Sequence, residues 1–375
     1  MRHIADCRTA ALGGHVDECS SCGLQRISYN SCRDRHCPKC QSLARAGWLE
    51  ARLQRLLPVP YFHVVFTIPD DLNALALGNK RLVFDCLFNA AAQTLKTIAK
   101  DEKHLGADIG FTAVLHTWGQ NILFHPHLHC VVTGGGLSSD GTRWVKGRQR
   151  FFLPVRVLAS LFRGKLLAAL ETARTTGKLH FGGSTAELAH DVAWNQFRDR
   201  LYRKDWVVYA KPPFGGPGQV FAYLGRYTHR VAISNHRITN FDNGLVSFAF
   251  KDYADGCHRK TMTVGALEFL RRFLLHVLPQ GFTRIRHFGL LAGRNVTTKL
   301  EHSRKLLSPA GAPTLLSADD PQLKRPWSEL LLQRTGIDVM ACPNCAGRFS
   351  RTFEIAPSSR WIHATGTDPP FTDTS

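Results

Sequence analysis

The sequence predicts an α+β protein: a central antiparallel sheet flanked by helices, preceded by a small metal-binding module at the N-terminus. Three observations carry this reading. Stretches of strand and helix periodicity are interspersed along the 375 residues and not segregated into blocks. Two strand candidates, 233–239 and 245–251, flank Asp242-Asn243-Gly244, a hairpin signal that makes at least part of the sheet antiparallel. Six of the eleven cysteines fall within the first forty residues, which suits a metal staple better than the even disulfide framework of a secreted chain.

Taken in chain order, residues 1–58 are rich in Cys, His and Arg and close with a Leu-rich helical stretch, 48–57, before Pro58 and Pro60. The run YFHVVFTI at 61–68 reads as a strand stopped by Pro69, and helical sequence follows to about Lys100. Residues 111–118 (FTAVLHTW) and 127–133 (HLHCVVT) are expected as the second and third strands, with Gly134-Gly135-Gly136 ending the third. Helices at about 155–176 and 185–203 lead to a strand at 206–210. The loop KPPFGGPG at 211–218 cannot be helical, and a short helix candidate, 219–229, stands directly behind it. After the hairpin an amphipathic helix is expected at 267–278, and beyond Arg294 the pattern weakens into a polar tail. The expected division is therefore 1–58, 59–294 and 295–375.

Lys and Arg number 48 against 29 Asp and Glu, a net charge of +19. Such an excess repels itself in the compact state and is best explained by a polyanionic partner, nucleic acid first. No run of eighteen apolar residues and no apolar leader core is present, so neither a membrane partner nor secretion is expected. A reducing cytoplasm, where thiols hold metal, fits the cysteine usage.

Cys19-x2-Cys22 and Cys37-Pro38-Lys39-Cys40 are two tight pairs fourteen residues apart. Two such pairs supply the four thiolates of a closed structural Zn²⁺ site, and Cys19, Cys22, Cys37 and Cys40 are the expected ligands. Cys7, Cys32 and His36, with His3 and His15 nearby, provide donors for a second site. Cys342-Pro343-Asn344-Cys345 is a half-site without an evident partner in sequence. Because four thiolates leave no open coordination position, the module suits DNA contact, with Arg33, Arg35 and Lys39 as candidates.

His127 and His129 bracket Leu128 on an expected strand. Alternation along a strand points both imidazoles one way and Leu128 the other, so the pair can grip a divalent cation. A third polar ligand is needed; Gln120 is the candidate, with His116, His125 and His229 as rivals. Tyr223 and Tyr227 stand four apart on the expected helix behind the Pro/Gly loop, one face of that helix, with Arg226 beside them.

Together these motifs resemble the two-tyrosine transposases of the insertion-sequence-91 type. The His-hydrophobic-His motif of that family (HUH) is matched by His127-Leu128-His129, its paired tyrosines by Tyr223 and Tyr227, and its zinc-binding domain by the run from Asn30 to Cys40. The resemblance implies an HUH nuclease-like fold and a rolling-circle transposase. Such an enzyme cleaves single-stranded DNA at element ends and transfers it to target DNA through a 5′-phosphotyrosine. Mg²⁺ or Mn²⁺ would serve catalysis, Zn²⁺ the structure, and no nucleoside triphosphate is needed, consistent with the absence of a phosphate-binding Gly-x4-Gly-Lys-Ser/Thr loop. A rolling-circle replication initiator or relaxase, and a non-catalytic zinc-finger regulator, remain alternatives at the level of sequence.

Overall fold

The computed structural model describes residues 2–37, 39–40, 47–48, 52, 55–147, 153–211, 219, 231–253, 255–308, 326–345 and 347–358. The chain divides into two compact units, one formed chiefly by 1–51 with 318–375 and the other chiefly by 52–224 with 232–317. Of the segment expected to stand apart, 295–375, the part from 318 onward groups with the first unit and 295–317 with the second. Weak apolar periodicity hid the strand Phe349–Ile355, which pairs with the first segment.

In the first unit, β1 (Gly14–Cys19) and β2 (Gln25–Tyr29) pair antiparallel, from Gly14 opposite Tyr29 to Glu18 opposite Gln25. The opposite edge of β1 takes the last strand of the chain, β12 (Phe349–Ile355), also antiparallel, with Cys19 opposite Phe349 and a bulge at Val16/Asp17. Arg26 fastens this sheet. Its guanidinium donates to Asp17 at 3.0 Å and to the Val339 carbonyl at 2.8 Å, and lies 4.3 Å from the centroid of the buried Phe349 ring.

In the second unit, β3 (Tyr61–Thr67), β4 (Ala107–Trp118), β5 (Phe124–Ser138), β6 (Trp144–Lys146), β7 (Val208–Lys211) and β11 (Ile285–Gly289) form one antiparallel sheet. Its order is β11-β4-β5-β3-β7, with β6 paired to β5. β8 (Ile238–Asp242), β9 (Leu245–Asp252) and β10 (His258–Gly265) form a separate three-stranded sheet. The β8–β9 hairpin turns at Asn243 and Gly244 with φ of 48° and 73°, as the sequence signal requires.

Alternation in β3, β4 and β5 sorts side chains between two faces. Phe62, Val64 and Phe66, Phe111, Ala113 and Leu115, and Leu128, Cys130 and Val132 all join one core with the helices Lys80–Lys100 and Val155–Thr175. Each buried Val, Leu or Phe among these contributes about 1.5–3 kcal/mol. The intervening residues, among them His63, Val65, Thr67, Thr112, Val114, His116, His127 and His129, line the other face.

Several boundaries differ from expectation. β5 does not end at Gly134-Gly135-Gly136 but runs through it to Ser138. A Cβ on Gly134 would lie 2.7 Å from the Pro60 carbonyl oxygen and one on Gly136 2.5 Å from that of Asp108, so the glycines let the backbones close up in mid-sheet. The expected helix 185–203 is a 3₁₀ turn, Gly183–Ala189, followed by a helix, Asp191–Arg203. β10 and β11 are polar or half-buried and carry too little alternation to be read from sequence. Residues 49–51 and 53–54 of the 48–57 stretch, the Pro/Gly loop 212–218, and Tyr223, Arg226, Tyr227 and His229 lie outside the described residues. Among the described residues no helix is long and apolar enough to cross a membrane.

Candidate functional site

The middle of the main sheet concentrates histidine. His116 on β4 is directly opposite His127 on β5, and His129 lies two residues along the same face. Ligand atoms of His116, His127 and His129 all fall within 4.8 Å of one another. The Nε2 atoms of His127 and His129 are 3.0 Å apart. Two ligands of one ion at metal–nitrogen bonds near 2.1 Å lie about 3.0 Å apart at a right angle and about 3.4 Å apart in a tetrahedron, so the spacing suits a shared cation.

Neighbouring groups orient these rings. The His125 carbonyl accepts from His127 Nδ1 at 2.7 Å; a carbonyl only accepts, so the proton sits on Nδ1 and the Nε2 lone pair is left for a metal. His129 Nδ1 lies 2.8 Å from Nε2 of His63 on β3, whose ring stacks on it at 5.0 Å. Burial holds His127 and His63 each down at about 4, helped for His63 by the charge of Lys211, and holds His129 well below the usual imidazole value. All three are neutral at pH 7, the state in which imidazole binds a cation.

Among the described residues the third imidazole gathered with the pair is His116, one of the rivals. The Gln120 side chain accepts from the Lys251 backbone N–H at 3.4 Å, and its carbonyl accepts from Arg237. Gln120 lies on the turn after β4, whereas His116 sits within β4 in register with the pair, which the β4–β5 pairing decides and the sequence does not show. His125 faces Asp70 at 3.6 Å. His63 was missed altogether: a single histidine in an apolar strand carries no signal until the β3–β5 register brings it to His129.

The cysteines assemble differently from expectation. Cys19 and Cys22 do not join Cys37 and Cys40 in one site. Cys37 and Cys40 gather with Cys7 and Cys32, and Cys19 and Cys22 gather with Cys342 and Cys345. The reason is the β1–β2 hairpin, which leaves Cys19 at one end of the sheet while the 30–40 loop returns past Cys7 at the other: Arg8 N–H donates to the Asn30 carbonyl and Cys32 N–H to the Cys7 sulfur. Of the second set expected (Cys7, Cys32, His36), the two cysteines belong to the first cluster. His36 does not; its Nδ1 lies 3.0 Å from an Asp34 carboxylate oxygen. His15 lies 3.6 Å from Asp17. Arg33 and Lys39 are exposed on the loop of that cluster, and Arg35 is half-buried.

Comparison with known proteins gives a consistent picture. Residues 110–299 match the family model Y2_Tnp, described as "Putative transposase", and residues 1–68 match the model of the transposase zinc-binding domain, Zn_Tnp_IS91. The chain is 53% identical over 355 residues to "Putative transposase y4qJ" of Sinorhizobium fredii, covering 95% of this chain and 88% of that one. It is 28% identical over 356 residues to the "Transposase for insertion sequence element IS801" of Pseudomonas savastanoi pv. phaseolicola, covering 93% and 82%. Among solved structures, the conjugative relaxase TrwC in complex with OriT DNA aligns over 44% of this chain and 71% of its own, with 13% identity and a TM-score of 0.22.

Proposed function

Because this chain belongs to the insertion-sequence-91-type transposases, we propose that it cuts and rejoins single-stranded DNA through a 5′-phosphotyrosine, beside a divalent metal held by His116, His127 and His129. The observation that carries this is the convergence of three imidazoles from two paired strands on one face of the sheet.

Mg²⁺ or Mn²⁺ bound there would polarise the scissile phosphate and offset charge on its oxygens. The chain's own groups do the rest. The His125 carbonyl and His63 hold the ligand rings in place. Lys211, paired with His63 across β3 and β7, adds positive charge beside the DNA backbone. Tyr223 or Tyr227 is the nucleophile, with Arg226 to favour its phenolate. The phenol oxygen attacks phosphorus as its proton is lost, the bond from phosphorus to the 3′ oxygen breaks, and that oxygen takes up a proton. A 5′-phosphotyrosine and a 3′-hydroxyl result. Rejoining reverses the exchange, with a 3′-hydroxyl attacking the phosphotyrosine, so no nucleoside triphosphate is consumed. Two phenols allow one DNA end to stay attached while a second is cut. Arg33, Arg35 and Lys39 extend the contact to DNA from the zinc-binding module.

The test is a labelled single-stranded oligonucleotide from an element end, incubated with the chain and Mg²⁺ or Mn²⁺. A denaturant-resistant adduct is expected from the wild type and none from the double variant Tyr223→Phe, Tyr227→Phe. His127→Ala is expected to lower adduct formation by about a hundredfold or more while DNA affinity stays within about twofold, since the ligand acts on the transition state. An adduct formed equally by the double variant overturns the assignment of nucleophiles, and no adduct from the wild type favours a DNA-binding role without cleavage.

A further inference from the structure

The family's zinc-binding domain model ends at residue 68, yet half of one cysteine cluster comes from the far end of the chain. Cys19 Sγ lies 3.5 Å from Cys345 Sγ, and Cys22 Sγ lies 3.7 Å from Cys342 Sγ. All four sulfurs are within 4.8 Å of one another. Four thiolates around one Zn²⁺ at 2.3 Å stand about 3.8 Å apart, whereas a disulfide needs about 2.05 Å. The separations match the edges of a tetrahedral sulfur site.

The backbone around the cluster is built for this approach. Ser21 N–H points to Cys19 Sγ at 3.5 Å. In the other cluster Asp34 N–H and Lys39 N–H make the same two-residue contact to Cys32 and Cys37, at 3.5 and 3.4 Å. Both clusters therefore have amide donors aimed at sulfur, which offset thiolate charge. On the C-terminal side a tight turn brings the second pair in, with Cys342 N–H donating to the Gly347 carbonyl at 2.7 Å and Phe349 N–H to the Met340 carbonyl at 2.8 Å. Gly347 leaves room for this: a Cβ there would lie 2.9 Å from Cys19 Sγ and 2.5 Å from Ser21 Oγ. Buried Phe349 packs on Cys19 and Cys342.

We infer that Cys19, Cys22, Cys342 and Cys345 form a second structural zinc site that clasps the two ends of the chain into one module, beside the site of Cys7, Cys32, Cys37 and Cys40. The sequence of the transposase core is thereby inserted between the halves of a single zinc-binding unit, and that unit is incomplete in any chain that stops before residue 345. This clasp is independent of the strand-transfer chemistry and stands or falls without it.

Metal analysis of the full chain purified without chelator tests it. Two zinc ions per chain are expected, with all eleven thiols free, the eight of the two clusters among them, when the denatured protein is titrated under non-reducing conditions after metal removal. Cys345→Ser is expected to drop the content to one. Cys345→His guards against simple misfolding: it keeps a ligand and so two metals, and in the Co²⁺-loaded protein it moves one site's visible bands from an all-sulfur pattern towards a three-sulfur, one-nitrogen pattern. One zinc in the wild type, two in Cys345→Ser, or a disulfide joining Cys19 to Cys345 each overturns the clasp.

Discussion

At the scale of single residues, the proposed metal centre depends on a histidine outside its set of ligands. His63 contacts His129 through Nε2 and stacks on its ring, so it fixes the direction in which the far nitrogen of His129 points. Loss of such an orienting partner lowers metal affinity about 10–100-fold in other sites. His63→Ala is therefore expected to weaken Mn²⁺ binding by that range while leaving the fold intact, and His63→Gln, which keeps a hydrogen-bonding group, to recover part of the loss. Calorimetric titration with Mn²⁺ reads this directly; equal affinity in His63→Ala and wild type would show that the pair is packing alone. Gln120→Ala should leave Mn²⁺ affinity unchanged, since its side chain is engaged with Lys251. The histidine pair was legible because period-two alternation is a local property of one strand. His63 and His116 were not, because their meeting with the pair is set by strand register, which one sequence does not encode in any neighbouring residues.

At the scale of the element, β5 does two jobs on two faces. His127 and His129 face the proposed metal site, while Leu128, fully buried between them, enters the helix-covered core with Phe66 and Leu115. Leu128→Ala should destabilise the unit by about 2–5 kcal/mol, and Leu128→Val by less than about 1.5 kcal/mol, because the first leaves a cavity and the second removes one methylene. Urea midpoints measure both, and a Leu128→Ala protein as stable as wild type would mean that the strand is not seated in the core. This alternation was written in the sequence, as was the Asn243-Gly244 turn. The passage of β5 through three glycines was not: glycine usually ends a strand, and only the close approach of Pro60 and Asp108 explains its use here. The pairing of β12 with β1 was equally hidden, since two short strands more than three hundred residues apart leave no periodic trace.

At the scale of the whole molecule, a chain of net charge +19 also keeps several histidines buried and neutral, and this makes its folding sensitive to acid. His276 shows the effect outside the cluster of His116, His127 and His129. It is buried, its Nδ1 lies 3.2 Å from Thr117 Oγ1 and its Nε2 3.0 Å from the Ile122 carbonyl, and Trp118 and Phe124 flank its ring. Burial, with Lys80 nearby, holds it down at about 4, against an ordinary imidazole value of 6.5. His287, hydrogen-bonded to Thr112 and close to Arg52 and Arg55, is held lower still, at about 3, again mainly by burial. The sign follows from which state takes the proton first. Above pH 6.5 neither state is protonated and stability is flat in this respect. As the pH falls from 6.5 towards 4, the unfolded chain binds a proton at each site that the folded chain refuses, so stability is lost progressively through that window. For His276 alone the loss at pH 5 relative to pH 7 is about 2 kcal/mol. His276→Asn removes the titrating group while keeping polar atoms, so it should lose about 2 kcal/mol less than wild type over the same interval, whatever the other histidines and the thiolates contribute to both proteins. Urea unfolding of the two proteins at pH 7 and pH 5 gives the double difference, and a value near zero would mean that His276 is as free to protonate in the folded chain as in the unfolded one.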